Sequence, residues 1–319
     1  MIGMLNRSII KLTLMLCFLC LIAGMQSFAQ GLIIEKTDSG AWVKDHGQNV
    51  LFYQTCTKSL HGRYPRANYI HPLFGADGTI LTEDFPADHL HHRGIFWTWH
   101  QILIGDQEMG DAWECRDFIW DVQEVKQLAE SESELSFVAN TFWKSPLWKD
   151  EDGELKAFVE ENTTVTVHSS VDTYRLIDFE ISLLALEPNL KIGGSKDDKG
   201  YNGFSVRMRL PEDIAFASED GLVEPKVGPV QAGPWMDISG SLSADGSRAG
   251  IVIMCHPDNP VYPDPWIIRK KGSMQNPAFP GREPVAISEK EPTRLKYRLV
   301  VYQGDLKQEV ISELMQGWK

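Results

Sequence analysis

The chain has 319 residues, 43% of them hydrophobic and 24% charged, with a formal net charge of -13 at pH 7. That length and apolar content support a large core, in one big all-β domain or two smaller ones. The acidic excess weighs against nucleic acid and anionic membrane surfaces as partners, since both repel a polyanion.

Taken in chain order, the first 29 residues read as a secretory signal peptide. Arg7 and Lys11 form a basic n-region, Leu12 to Gly24 an apolar h-region, and Ser27-Phe28-Ala29 supplies small residues ahead of Gln30. Cys17 and Cys20 lie in the apolar run with no small-residue lipobox before them, which disfavours a lipoprotein. The expected mature chain, 30–319, holds no second apolar run of the ~20 residues a membrane span needs. The expectation is a periplasmic or secreted protein of a single domain. Without Arg7 and Lys11, 29 basic side chains face 44 acidic ones. Three cysteines remain, Cys56, Cys115 and Cys255, an odd and widely spaced set that reads as free buried thiols.

Period-2 alternation is the dominant pattern beyond that point. Candidate strands are Gly31 to Lys36, Val50 to Thr55, Leu135 to Trp143, Thr163 to His168, Arg175 to Leu183, Phe204 to Leu210, Ala249 to Met254 and Leu295 to Val301. In Arg175 to Leu183, for example, Ile177, Phe179, Ile181 and Leu183 share one face and Asp178, Glu180 and Ser182 the other. Asp77-Gly78, Asp152-Gly153 and Asp245-Gly246 supply turn chemistry between such runs. The segments 228–235 and 257–284 are rich in Pro and Gly, and long irregular loops of this kind are functional more often than structural. Leu306 to Gln316 predicts a helix capped by Asp305 with Gln308 at the reciprocal position, and with Val310, Ile311 and Leu314 as its apolar stripe. The expected fold is all-β, a large antiparallel β-sandwich with a short C-terminal helix. The nearest analogy is the galactose-mutarotase-like supersandwich, on size, strand content and clustered histidines alone.

Asp84 to His100 holds four of the nine histidines, together with Trp97, Trp99, Arg93, Asp84 and Asp88. Histidine is the side chain that titrates nearest neutrality, so such a crowd offers proton donors, acceptors or metal ligands. In an extended run His89 and His91 share a face, whereas in a helical turn His89 and His92 do. His71 and His100 are near enough in sequence to join them. A divalent metal held by His71, His89 and His91 is one open alternative, although neither His-Glu-x-x-His nor a Cys-rich zinc pattern occurs. Ordinary hydrogen bonding of these imidazoles to backbone carbonyls is the plain alternative. Arg93 suits a carboxylate or an array of hydroxyls through its planar fork. Trp97 and Trp99 share a strand face, either as core or as a stacking platform for a sugar ring.

A second constellation, Cys255-His256-Pro257-Asp258-Asn259-Pro260 with Trp266 and Asn276-Pro277, opens at the end of a strand. It reads equally as a substrate-facing loop and as a Pro-rigidified turn. In Gly200 to Arg207, the Arg207 side chain points away from the apolar face. The Walker, Rossmann and Gly-x-Ser-x-Gly patterns are absent, so nucleotide cofactors and serine esterase chemistry have little support.

Four runs, Tyr69 to Leu73, Asp88 to Gly94, Gly200 to Arg207 and Cys255 to Pro260 with Trp266 and Asn276-Pro277, resemble a family of secreted bacterial proteins labelled the PmoA family. The label comes from a methane oxygenase subunit, a membrane protein needing several transmembrane helices that the expected mature chain does not offer. The resemblance implies instead a setting of carbohydrate catabolism, beside sugar oxidoreductases, sugar isomerase-like barrels and proteins that cleave keto-glycosides. Where family members often have an Asp before the His-Pro pair, this chain has Cys255.

The expectation is a carbohydrate-active enzyme, lyase or hydrolase, using histidine acid/base catalysis on a glycoside or keto sugar. His89, His91 or His92 moves the proton, and His71 is a second acid/base or a metal ligand. Arg93 and His256 bind or polarise the substrate, with Trp97, Trp99, Arg207, Asn259, Trp266 and Asn276 lining the same pocket. The alternatives are a non-catalytic carbohydrate-binding protein and a metal-dependent oxygenase. No cofactor beyond a divalent metal is implied.

Overall fold

A computed structural model describes residues 31–318, so the expected signal peptide lies outside the described residues. The fold is mostly β, built from large antiparallel sheets with one short C-terminal helix among the described residues. A six-stranded sheet runs, in spatial order, Leu32–Thr37, Gly40–Asp45, Gln48–Gln54, Tyr69–Leu73, Ile95–Trp99 and Asn202–Val206. A nine-stranded sheet packs against it. Its long strands are Ile119–Glu130, Glu134–Lys144, Val159–His168, Tyr174–Ala185, Thr293–Gln303 and Ala249–Cys255, followed by Trp235–Gly240, Ala215–Ser218 and Gly221–Leu222. Among the described residues no helix is long and apolar enough to cross a membrane.

The alternation read in the sequence is what closes the sandwich. Along Glu134–Lys144 every second side chain is buried, and the same rhythm continues across Val159–His168 and Tyr174–Ala185. Register lines up Phe137, Val165, Phe179, Tyr297 and Cys255 as one inward row. That row meets the inner face of the smaller sheet, where Phe204 stacks on Tyr297 with ring centroids 4.6 Å apart and meets Phe179 edge-on at 5.0 Å. Aromatic contacts of this kind are worth about 0.5–1.5 kcal/mol each beyond their area burial.

A carboxylate lies between the sheets. Glu161 is fully buried, and Asn68 Nδ2, Trp97 Nε1 and Thr163 Oγ1 donate to its Oε1 while Trp143 Nε1 donates to Oε2, each at 2.7 Å. Tyr53 and Thr141 donate in turn to Asn68 Oδ1. Tyr53 and Trp97 belong to one sheet and Thr141, Trp143, Glu161 and Thr163 to the other, so the carboxylate ties the two layers in one register. Burial pushes its pKa up, against the pull of its four donors.

Several local expectations change. The strand expected over Phe204 to Leu210 ends at Val206, and Met208 keeps only a single bridge to Thr82. The helix runs Gln308–Gly317 with Lys307 at its N-cap and no side-chain cap. Asp305 turns instead toward Arg248 at 3.2 Å, and Gln308 Nε2 donates to the Glu219 carbonyl at 2.6 Å. Among the described residues the three cysteines are free, but Cys56 is exposed, and only Cys115 and Cys255 are buried.

The loop after Ala249–Cys255 buries another carboxyl. Neither oxygen of Asp264 has a donor at hydrogen-bond geometry, and burial pushes its pKa up to about 7. From about pH 4 to about 7 the folded chain therefore holds a proton that the unfolded chain has released, and this group's contribution to stability falls as pH rises. Asp264→Asn is expected to gain on the wild type by up to about 1.4 kcal/mol per pH unit across that window in urea titrations. A difference that stays constant with pH would mean the carboxyl is ionised throughout.

Candidate functional site

The histidine segment is neither strand nor helix but two successive tight turns. The His89 amide donates to the Pro86 carbonyl at 3.1 Å and the His92 amide to the His89 carbonyl at 2.9 Å. This three-residue spacing stacks the His89 and His92 rings, 4.8 Å apart and 7° from parallel. The His91 ring stands edge-on to both, with centroids 5.7 Å and 4.5 Å away. Gly94 ends the segment where a Cβ would overlap the Ile70 carbonyl, so the chain turns into the next strand only with glycine there.

The charged neighbours of these histidines hold the turn in place. Arg207, buried beneath it, donates to both oxygens of Asp88 at 2.8 and 3.1 Å, to Glu83 at 2.8 Å and to His92 Nδ1 at 3.5 Å. Arg93 is 0% exposed; it donates to Asp84 at 3.0 Å and lies 3.1 Å from the Phe85 ring centroid. Neither guanidinium reaches solvent, so both position the loop instead of binding substrate as expected.

Two strand faces divide the next residues. In Ile95–Trp99, Ile95, Trp97 and Trp99 point into the sandwich core, and the Trp97 and Trp99 indole nitrogens are spent on Glu161 and the Phe279 carbonyl. At 1% and 0% exposure they cannot stack on a ligand, which corrects the platform expectation. The other face carries Phe96 and Thr98 outward, and His100 follows in the same phase. There Phe96 joins Tyr69, Trp113, Ile267, Met274 and Ala278 in a small second core under the site.

Above that core a cleft of about 280 Å³ is lined by His89, His91, His92 and His100, by Trp113 and Glu114, by Ser195, Asp197, Lys199 and Tyr201, and by Ser273 and Met274. Its size is at the lower end of the small-ligand range, near 300 Å³. Trp113 lies against His100 at 5.3 Å and Tyr201 at 5.8 Å, both about parallel at 22°. The loop 110–117 supplies two carboxylates as well as this indole. His100 Nδ1 is 2.9 Å from Asp111 Oδ2, and His91 Nδ1 is 3.5 Å from Glu114 Oε2. Asp111 Oδ1 also accepts the Glu114 amide at 3.0 Å, which fixes the loop on itself. Gly110, at φ +110° and with no room for a Cβ beside the Asp117 carbonyl, lets this loop close.

Burial, reinforced by the charge of Arg66, pushes the His91 pKa down to about 3. Burial and the neighbouring histidines hold His92 lower still, so both rings are neutral around pH 7.

The other expected residues lie elsewhere. His71 packs outside the cleft with Nδ1 3.0 Å from Thr82 Oγ1, and burial lowers its pKa. The alternative set of His71, His89 and His91 does not form. Among the described residues no three His, Cys, Asp or Glu side chains are arranged to hold a metal ion, so the donors do not fit a divalent metal. His256 accepts the Asp258 amide at 3.1 Å and meets the Trp318 ring edge-on at 4.8 Å, away from the cleft. Asn259 closes its own loop through the Lys296 amide and carbonyl. Trp266 is buried with its indole nitrogen on the Gly233 carbonyl, and Asn276 donates to the Asn202 carbonyl. The loop 257–284 does wall the cleft, but through Ser273 and Met274.

The lining residues Glu114, Ser195, Ser273 and Met274, and Asp111 behind His100, are those that the sequence pattern did not single out. The Gly at 110 before a run of Asp, Trp and Glu was the available signal. A comparison with curated proteins finds no match. Residues 42–316, which contain every side chain of the cleft, match the family described as "Family of unknown function (DUF6807)", and the chain belongs to that family.

Proposed function

We propose that this chain is a periplasmic carbohydrate-active enzyme of lyase or hydrolase type, in which His100, oriented by Asp111, moves the proton. The observation that carries the reading is the pair of histidine–carboxylate contacts, His100 with Asp111 and His91 with Glu114, facing one cleft with an aromatic floor. A carboxylate on Nδ1 fixes the tautomer that leaves Nε2 free as a base. The resemblance to secreted proteins that accompany sugar-processing enzymes supports the choice of substrate class.

On a keto-glycoside, His100 Nε2 takes the proton from the carbon beside the carbonyl, and the Lys199 ammonium steadies the enolate oxygen as charge develops. The glycosidic oxygen then departs with the proton now on the imidazolium. Neutral His91 hydrogen-bonds a ring hydroxyl, a task its depressed basicity suits better than shuttling protons.

Incubating the purified protein with a panel of glycosides and keto-glycosides, with chromatographic detection of products, tests this. Glu114→Gln is expected to lower kcat/KM about tenfold, the loss of one partly exposed charge-assisted contact. Sugar affinity with no product from any substrate would replace the catalytic reading by the binding one.

A further inference from the structure

The His100 ring has space on two sides. Beyond the histidine cleft lies a second one of about 250 Å³, and His100 and Ser195 belong to the walls of both. The second cleft is completed by Gln101, Glu108, Gly110, Asp111, Arg116 and Lys196. Its character differs from the first. Apart from His100 it has no aromatic side chain, and its charges are paired, Lys196 with Glu108 at 2.7 Å and Arg116 with Asp111 at 3.6 Å. Paired charges of this kind present donors and acceptors side by side, which suits hydroxyl groups and offers no net charge to an ionic ligand.

Each cleft alone is slightly smaller than an ordinary small-molecule pocket, and the two together fall within that range. The divider between them is the imidazole already given the proton. Asp111 reaches His100 from the wall of the second cleft, so the dyad itself spans the boundary.

We propose that the two clefts are subsites on either side of the bond that is broken, and that the ligand is a saccharide of at least two residues. One ring lies against the half-buried Tyr201, which Trp113 backs from the core, and the next between Glu108 and Lys196, with their glycosidic oxygen at His100. This rests on the carbohydrate reading of the first cleft and deepens it.

Saturation-transfer NMR on the full protein tests it, using a panel of mono- and disaccharides of common hexoses, pentoses and uronic acids. Disaccharides that bind are expected to show saturation on both rings. A Glu108→Ala, Lys196→Ala double variant, altered only at exposed positions outside the first cleft, is expected to lose saturation on one ring alone and to weaken disaccharide binding about tenfold. Binding of the matching monosaccharide should stay unchanged. Saturation confined to a single ring in the wild type, or an unaltered pattern in the double variant, overturns the two-subsite proposal while leaving the first cleft as a sugar site. No saturation from any sugar overturns the carbohydrate reading, and this proposal with it.

Discussion

Glu161→Ala is expected to lower the melting temperature by on the order of 10 °C, followed by circular dichroism at 222 nm or by tryptophan fluorescence. The size comes from what the substitution strands. Two indole N–H groups, one amide and one hydroxyl lose their acceptor in a site without water access, and each unsatisfied buried donor costs about 1–3 kcal/mol. Removing the charge recovers part of that, because an ionised carboxylate is itself expensive to bury. A net loss of about 3–5 kcal/mol is left, and in a chain of this size each kcal/mol moves the midpoint by roughly 2–4 °C. Glu161→Gln is the milder probe. It keeps one acceptor but turns an amide N–H toward the Trp143 or the Trp97 indole, and is expected to cost about half as much. Should Glu161→Ala melt within two degrees of the wild type, the carboxylate would not be what ties the layers together.

His100→Ala is expected to reduce kcat by about 10²- to 10⁴-fold with KM changed little, the usual contribution of a positioned acid/base group. Asp111→Asn should fall in the same range for a different reason. Its amide N–H facing Nδ1 favours the tautomer whose Nε2 carries the proton, which leaves the imidazole without a lone pair toward the substrate. The steady-state split decides between chemistry and structure, since a merely misplaced loop would raise KM as well. If His100→Ala kept more than a third of kcat on a turned-over glycoside, the proton would have to be moved by another group.

How much of this was legible in the sequence differs by layer. The strands of the larger sheet were readable because one face meets the core and the other meets solvent, so Ile177, Phe179, Ile181 and Leu183 announce themselves by alternation. Ile95–Trp99 gives no such contrast, being buried on both faces. Period two correctly places Trp97 and Trp99 together, but it does not say which face is the core. The answer put the two tryptophans inside and His100 at the cleft. Likewise the histidine segment was conspicuous by composition, yet Asp84 and Asp88 beside it serve Arg93 and Arg207. Asp88 lies 3.7 Å from His89, but the nearer carboxylates on His100 and His91 come from Asp111 and Glu114, and a local reading of the sequence cannot pair residues that only a loop closure brings together. The loop 257–284 was singled out for its Pro and Gly content, and it reaches the cleft by its least conspicuous residues, Ser273 and Met274.

The loop 110–117 has a consequence of another kind. It alone carries the orienting carboxylate of each dyad and the indole floor, while the imidazoles stand on a clamped turn and a strand end. Within it chemistry and scaffold alternate: Ala112, Trp113 and Cys115 are buried in the core, while Asp111 and Glu114 meet the imidazoles. Exchanging Asp111 and Glu114 alone would recast both dyads in one step, so these two positions are the natural ones for redesigning what the cleft accepts.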